Sequence, residues 1–476
     1  MTGSCSLKSY DYNYDGTRLF ESVSKRRYSF FLDSSMDAYG LGRYSFIGFD
    51  PYMVIRKKNE KPFRELHYWL QRSAFSEKRL PTPLPAGAVG FLSYDLGFLM
   101  ERIGSKSHDD LQLPDCVFGF YDVIITIDHW KRKLHITSSG LPEKNGQAVK
   151  KRAQQRLKEV MKIIEDSKEC RQQQGDAWTP ENTAGMTYDM IAGMRGNFTK
   201  QEYRKAIAKA LHHIAAGDIY QVNLSQRFCA QLPTFRECDF EIFKLLRRVS
   251  PSCFSAFFNC GDFKIISSSP ERFLHVHDRL VQTRPMKGTR PRHNALTEDR
   301  KQKDALLKSK KDRAELLMIV DLLRNDLGRV CEYGSVQVRE MRTLEKYSTV
   351  FQTTSTVKGI LHKDKDHVDL LKACFPGGSI TGCPKIRSMQ IIDELEPTRR
   401  GPYTGSLGYI SFTGDMDLNI LIRTLVIKGD KAYFQVGGGI VADSKPDDEY
   451  NETLVKARGL LSCLAATPSE RIAVRA

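Results

Sequence analysis

Phe254-Ser-Ala-Phe-Phe-Asn-Cys-Gly-Asp-Phe-Lys-Ile-Ile-Ser267 is the stretch on which the fold class turns. Two short runs rich in Phe and Ile flank Cys260-Gly-Asp, and a glycine turn between such runs predicts an antiparallel hairpin. The pattern returns in Leu407 to Phe412 and Asp417 to Ile427 around Gly414-Asp415. It occurs again in Val117 to Ile127, which turns at Asp128-His-Trp-Lys and comes back through Leu134 to Thr137. Helices stand between these hairpins instead of following every strand. Thr199-Lys-Gln-Glu202 is a capping box, and Tyr203, Ile207, Ala210, Leu211 and Ile214 continue one helical face until Gly217 stops it. Ser309-Lys-Lys-Asp312 caps a second helix, with Ala314, Leu317, Met318, Val320 and Leu323 expected inward and its end by Gly328. Pro384 opens a third, through Met389 to Leu395. Hairpins mixed with separated helices predict an α+β fold of large antiparallel sheets flanked by helices.

A chain of 476 residues can bury an extensive interior, and at 41% hydrophobic and 27% charged its composition excludes collagen-like, disordered and coiled-coil classes. Seventy-three Lys and Arg against 57 Asp and Glu leave a net charge of +16, which points to nucleic acid, an acidic membrane surface or an anionic small molecule as partner. No Cys-x-x-Cys occurs among the 11 cysteines, so the chain reads as reduced and cytoplasmic. The uncharged stretch Leu80 to Tyr94 is broken by three prolines and two glycines, which argues against membrane insertion. A helix is expected from Val149 to Ile164, and the aperiodic segment after it sets the domain plan: an N-terminal domain over 1–165, a linker or long loop over 166–197, and a catalytic domain over 198–465.

Several segments carry chemistry. Gln282-Thr-Arg-Pro-Met-Lys-Gly-Thr-Arg-Pro-Arg292 is a stiff basic loop. It reads as a solvated face, as an anion contact, or as a nucleophilic lysine, Lys287, whose amine is depressed by Arg284 and Arg290. Glu271, Glu315, Glu449 and Glu452 stand in apolar or glycine-rich settings. Glu449 and Glu452 lie one helical turn apart, and oxygen-only ligands suit Mg²⁺, although most such pairs are simply surface. Gly437-Gly-Gly439 is read as a turn exposing backbone N–H groups to an anion, or as a bulge or tight connection in a strand. In Ile219-Tyr-Gln-Val-Asn-Leu224, alternation puts Gln221 and Asn223 opposite Tyr220, Val222 and Leu224. Gly377-Gly-Ser-Ile-Thr-Gly-Cys-Pro384 lacks the ending of a Walker loop, and His275-x-His277 has no third zinc ligand at useful spacing. No Gly-x-Cys-x-Gly elbow is present, so no ammonia-releasing domain is expected here.

In order and spacing these pieces resemble the chorismate-utilising enzymes over nearly the whole chain. The resemblance runs through Asp218-Ile-Tyr-Gln-Val-Asn-Leu, Ser267-Ser-Ser-Pro-Glu-Arg-Phe, Arg284-Pro-Met-Lys-Gly-Thr-Arg-Pro-Arg and Asp312-Arg-Ala-Glu-Leu-Leu-Met. It continues in Gly378-Ser-Ile-Thr-Gly-Cys-Pro-Lys and in Gly437-Gly-Gly-Ile-Val-Ala-Asp-Ser through Glu449-Tyr-Asn-Glu-Thr. Gly42-Arg-Tyr-Ser-Phe-Ile-Gly48 and Val89-Gly-Phe-Leu-Ser-Tyr-Asp95 match the family's N-terminal pattern.

The resemblance implies that Glu315 and Glu452 hold Mg²⁺ with Glu449 close by, and that Arg423, Tyr403, Thr289, Ser379, Lys456, Gln221 and the glycines Gly437, Gly438 and Gly439 bind substrate. Lys287 is the residue that separates members: those that aminate chorismate at C4, toward p-aminobenzoate and folate, carry lysine there, and those that form anthranilate carry a small residue. The implied chemistry makes Lys287 the nucleophile and Glu271 the general acid, with ammonia supplied by a separate glutamine amidotransferase subunit. Relatives that add water use a lysine where Gln221 stands, so water chemistry is disfavoured. Gln352 replaces a histidine common in the family and cannot shuttle protons. Phe31-Leu-Asp-Ser34 matches a regulatory element at which some relatives bind tryptophan, which marks Asp33, Ser34, Tyr44 and Ser45. On this reading the excess charge belongs to an anionic substrate and to solvated helix faces rather than to nucleic acid, and a non-catalytic basic binding protein is the rival of another class.

Overall fold

The computed structural model describes residues 5–12, 16–37, 40–75, 80–169, 194–232, 239–293, 295–347 and 350–465. Two antiparallel sheets of twelve and ten strands form the frame. The larger runs in the order Ser6–Asp11, Lys133–Ser138, Val123–Asp128, Tyr44–Gly48, Phe30–Asp33, Phe254–Asn259, Phe263–Ser269, Thr424–Lys428, Lys431–Ile440, Gln221–Gln231 and Gly382–Cys383, with Arg195–Gly196 added beside Gln221–Gln231. The smaller runs Met286–Pro291, Val350–Ile360, Leu280–Arg284, Arg272–His277, Met416–Asn419, Ser406–Ser411, Gly87–Leu92, Cys116–Tyr121 and Met53–Lys57, with Gln337–Lys346 beside Val350–Ile360. The hairpin at Cys260-Gly-Asp is present and pairs Phe257 with Ile266.

The sheets pack face to face. Phe30, Phe46, Phe258 and Phe263 of the larger meet Val89, Phe91, Tyr121 and Tyr409 of the smaller in one buried cluster. Gly146–Glu169, Asp239–Val249 and Pro446–Ala465 cover the outer face of the larger sheet. Phe63–Ser73, Lys310–Gly328 and His367–Cys374 contribute to the core on the outer side of the smaller, and Lys385–Leu395 joins the same core from Gln221–Gln231 and Gly382–Cys383 of the larger. The central strands of both sheets are thus buried, while the edge strands Ser6–Asp11, Arg195–Gly196 and Gln337–Lys346 stay largely exposed. Segments on either side of 166–197 contribute strands to both sheets, so that stretch does not coincide with a break in either one. Its part from 170 to 193 lies outside the described residues, and the helix expected to Ile164 continues to Glu169.

Two expected strands are each divided between the sheets. Val117 to Ile127 leaves the smaller sheet at Tyr121 and enters the larger at Val123. Asp122 marks the crossing, fully buried, with Arg152 at 2.8 Å and Arg156 at 3.5 Å. Asp417 to Ile427 breaks after Asn419 and resumes at Thr424, with Arg423 at φ 51°. A third crossing, Pro270-Glu271, joins Phe263–Ser269 to Arg272–His277 in the opposite direction. Alternation reads a straight strand across such points because the residues on both sides are equally apolar.

The helix Lys310–Gly328 is capped by Ser309, whose hydroxyl accepts from the Asp312 N–H at 3.1 Å, and it buries Val320 and Leu323 as expected but not Ala314, Leu317 or Met318. Leu316, Ile319, Val320, Leu323 and Leu327 point inward, while Ala314 and Leu317 are exposed and Met318 is half-buried. The run is apolar nearly all round, so spacing does not choose its orientation.

A buried ion pair fixes the loop that precedes the Lys385–Leu395 helix. Arg400 donates from Nη2 to Glu396 Oε1 at 2.7 Å and from Nε to Oε2 at 2.9 Å, and also reaches the carbonyls of Ile380 and Asn223 at 3.1 and 2.6 Å. Glu396→Ala strands a buried guanidinium and is expected to cost ~3–5 kcal/mol of stability, read by urea unfolding.

Candidate active site

The two crossings at Glu271 and Arg423 lie side by side, since the Ile420 N–H donates to the Glu271 carbonyl at 3.0 Å. Strands passing between sheets are a place where side chains leave the alternating pattern, and these two crossings carry Glu271 and Arg423, two of the residues expected in the site. Glu271 is buried, and the Ser379 hydroxyl donates to its Oε1 at 2.6 Å. Burial pushes its carboxyl up to about 7, against the opposing pull of Ser379, of Lys287 and of the Met286 backbone N–H. A carboxyl poised there can give up a proton at neutral pH. Burial pushes the Arg423 guanidinium down from its ordinary value, with the Tyr347 phenol acting the other way. A desolvated guanidinium is a receptor for a carboxylate. Tyr403 stands by the same crossing, because the next residue, Thr404, donates its N–H to the Leu421 carbonyl at 2.7 Å. Its phenol is pushed far up by burial, so it acts only as a neutral hydroxyl.

Lys287 comes from the strand Met286–Pro291. Leu280–Arg284 and Met286–Pro291 both pair with Val350–Ile360 and are separated only by Pro285. The register slips between Lys287 and Thr289, where Gly288 takes φ +75°, so a bulge follows the lysine and re-aims it. The arginines expected to depress its amine are engaged elsewhere. Arg284 forms an ion pair with fully buried Glu345, which also accepts from Tyr347 at 2.6 Å and Thr354 at 2.8 Å, and Arg290 pairs with Asp312 at 3.1 Å. The charged groups acting on Lys287 are instead the carboxylates Glu271, Glu315 and Glu452. Gln352 donates to the Thr289 hydroxyl at 3.3 Å and keeps a buried Oε1 without a partner.

Gly437, Gly438 and Gly439 are not a turn. They end the strand Lys431–Ile440 in regular pairing with Ser225, Leu224 and Asn223. Their missing side chains make a floor. A methyl on Gly438 would stand 3.2 Å from Glu449 Oε2, 3.8 Å from Glu452 Oε1 and 4.0 Å from Lys456 Nζ, and one on Gly439 would stand 2.7 Å from Gln221 Nε2 and 3.4 Å from Lys287 Nζ. Gln221, Asn223 and Gln435 each leave a buried oxygen unpartnered. Gly439→Ala is expected to lower kcat/KM by ~10-fold by displacing Lys287 and Gln221 while leaving the unfolding midpoint nearly unchanged.

Glu449 and Glu452 project from the helix Pro446–Ala465 over this floor. Burial pushes Glu449 up, although Ser444 donates to its Oε1 at 2.6 Å, whereas Lys456 at 2.7 Å holds Glu452 below the usual range. Burial likewise raises Glu315, whose charged neighbours are Lys287, Lys311, Asp312 and Glu449. The donor set is all carboxylate oxygen and mutually repelling, with Glu449 buried, Glu315 half-buried and Glu452 open to solvent, which is the chemistry a hard divalent cation relieves. Among the described residues no group of three or more His, Cys, Asp or Glu is arranged to hold a metal ion. Mg²⁺ is typically held by one or two carboxylates with the remaining positions left to water and substrate, so the donor set fits it.

The residues matched to the regulatory element lie apart from this centre. Asp33, Ser34 and Tyr44 line a cavity of about 970 Å³ with Trp130, Phe254 and His275. Ser45 is buried beneath it, donating to Asp33 Oδ1 at 3.0 Å and receiving the Ser34 N–H at 3.0 Å. His277 also lines this cavity, with Nδ1 2.5 Å from Asp415. Lys311 and Glu345 are the polar residues that sequence reasoning missed. The first sits in a run of charges and the second in a polar strand, and neither carries a spacing signal.

Comparison with known proteins agrees with this geometry. The chain is 36% identical over 471 residues to "Aminodeoxychorismate synthase component 1" of Bacillus subtilis, covering 95% of each. It is 35% identical over 466 residues to "Anthranilate synthase component 1" of Acetivibrio thermocellus, covering 94% of this chain and 92% of that protein. Among solved structures it resembles anthranilate synthase component I from Streptococcus pneumoniae, with a TM-score of 0.74 at 33% identity over 88% of this chain and 92% of that one. The family described as chorismate binding enzyme matches residues 28–462, a span that takes in both sheets, both crossings and the acidic helix, so this chain belongs to the chorismate-binding enzymes and acts on chorismate.

Proposed function

We propose that the chain aminates chorismate at C4 to give 4-amino-4-deoxychorismate, as an aminodeoxychorismate synthase does. The observation that carries this reading is Lys287, aimed by the Gly288 bulge at the floor beside Gly439 and lying within electrostatic reach of Glu271. Arg423, the Tyr403 hydroxyl and the Gly437–Gly439 floor receive the substrate, and Ser379 orients Glu271. Lys287 in its neutral form adds to C2 while both conjugated ring double bonds shift toward C4 and the C4–O bond breaks, and Glu271 gives its proton to the departing hydroxyl, which leaves as water. Ammonia then adds at C4, both double bonds shift back, the C2–N bond breaks to release the lysine, and a proton from the added ammonia returns to Glu271. The sum is chorismate plus ammonia to product plus water. When bound at Glu315, Glu452 and Glu449, Mg²⁺ supplies Lewis-acid polarisation of the ring carboxylate.

Ammonia would come from a glutamine amidotransferase subunit, with p-aminobenzoate and folate downstream. Among the described residues no helix is long and apolar enough to cross a membrane. Anthranilate formation is the second reading, supported by relatives of equal similarity. Purified chain with chorismate, Mg²⁺ and ammonium, coupled to a lyase that releases p-aminobenzoate, tests the choice; fluorescence of anthranilate as the main product overturns it. The cavity at Asp33 and Ser34 would take a regulatory ligand such as tryptophan, which titration calorimetry reads directly.

A further inference from the structure

Lys311 takes no part in the chemistry above, yet its ammonium stands over the carboxylate cluster. It is the second residue of the helix Lys310–Gly328, and the next residue, Asp312, ties that helix start to the Lys287 strand through Arg290 at 3.1 Å. Its Nζ lies 3.7 Å from Glu449 Oε1, too long for a strong hydrogen bond, and its side chain is 41% exposed. The contact is therefore a loose ion pair at the edge of solvent. Lys456 differs: it is held by Glu452 Oε1 at 2.7 Å and by the Gly437 carbonyl at 2.9 Å. Glu449 in turn keeps its Ser444 hydrogen bond whether or not Lys311 remains.

The charges explain why one cation is held loosely. Glu315, Glu449 and Glu452 face Lys287, Lys311 and Lys456, and the neighbouring Asp312 is matched by its own partner Arg290, so the signs balance. A divalent cation entering this balanced cluster brings an excess of two positive charges, and a dianionic substrate removes it. One lysine must therefore give up its carboxylate to the metal, and an unbranched stem ending in a point charge can swing to another anion without breaking anything else. Lys311 is the one whose only contact of this kind is long and exposed.

We propose that Lys311 is a displaceable counter-ion: it neutralises Glu449 until a divalent cation takes over that carboxylate, and then turns to a carboxylate of the bound dianion. This rests on the metal and substrate reading of the site given above. The residue thus couples cation binding to substrate binding, and it acts by charge placement rather than by proton transfer.

Lys311→Met keeps the stem and removes the charge. Calorimetry with Mg²⁺ alone is expected to show about tenfold tighter binding in the variant, because a competing cation a few ångströms away is gone. Chorismate binding in the presence of Mg²⁺, measured with ammonia omitted, is expected to weaken by about tenfold. Lys311→Arg should return both values to within a few-fold of the unsubstituted chain. Unchanged Mg²⁺ affinity in Lys311→Met overturns the proposal, as does tighter Mg²⁺ binding with no loss of chorismate affinity. Absence of Mg²⁺ binding by the unsubstituted chain overturns it together with the metal assignment. Both titrations are independent of the product, so anthranilate in the coupled assay would defeat the amination reading and leave this one standing.

Discussion

Lys287→Ala is expected to lower the rate of aminodeoxychorismate formation by ~1,000-fold or more while the chain stays folded, because the step loses its nucleophile and the other amine at the floor, Lys456, is held by Glu452 and the Gly437 carbonyl. The lysine is half-buried, on a strand whose pairing with Val350–Ile360 depends on backbone alone, and alanine fits a strand position without leaving a sealed cavity. The unfolding midpoint should stay close to that of the unsubstituted chain. Single-turnover product formation, coupled to p-aminobenzoate release, measures the loss. A variant that retains full rate would show that the lysine is a bystander and that amination proceeds by direct attack of ammonia. Lys287→Arg should be almost as impaired, since guanidinium stays protonated throughout the accessible pH range.

Glu271→Gln carries the second large effect, a fall in kcat of ~100- to 10,000-fold, the range typical of a positioned general acid. The more discriminating readout is the pH profile. Glu271 must hold a proton to protonate the departing hydroxyl, and burial places its carboxyl at about 7. The active fraction is therefore high below that value and falls as pH rises through it, so kcat measured at fixed free ammonia should decline on the alkaline side. Glutamine cannot supply a proton, so the variant's residual rate should lose this limb. Retention of the limb in Glu271→Gln would assign it to another group. Ser379→Ala removes the 2.6 Å hydrogen bond that lowers the carboxyl and should move the limb to higher pH.

The two-sheet fold was legible wherever a turn residue interrupts an apolar run. Gly261 in the Cys260-Gly-Asp hairpin and Gly414 before Met416 both mark true reversals. The crossings were not legible. Asp122 and Arg423 are single polar residues inside apolar runs, and nothing local says whether the next strand joins the same sheet or the facing one. In this fold the facing sheet is equally apolar, so both choices satisfy alternation, and only the partner strands decide. Lys310–Gly328 shows the same limit in a helix: Ala314 and Leu317 face solvent because the apolar surface exceeds what one interface can cover.

The candidate site divides along similar lines. Residue identities at Lys287, Glu271, Glu315, Glu449 and Glu452 were readable as motifs, and the one-turn spacing of Glu449 and Glu452 placed them on one helix face. The glycines at 437–439 read equally as a turn or as a bulge or tight connection in a strand, because composition cannot tell a flexible link from a strand cleared for close approach, and the pairing and the distances from Gly438 and Gly439 show a regular strand of the latter kind. Arg284 and Arg290 were misassigned because sequence proximity to Lys287 says nothing of the carboxylates, Glu345 and Asp312, that neutralise them.

The sequence by itself determined the α+β class, the family, and the chemical kinds present: an amine, a set of carboxylates, a guanidinium and a glycine floor. Tertiary structure alone decided their work. A carboxyl becomes an acid near neutrality only through burial, an arginine becomes an anion receptor only when its neighbours supply no counter-charge, and residues 149 positions apart meet only because two strands cross between sheets at the same point, Glu271 beside Ile420. Desolvation and long-range pairing are properties of the folded chain, and no local spacing encodes them.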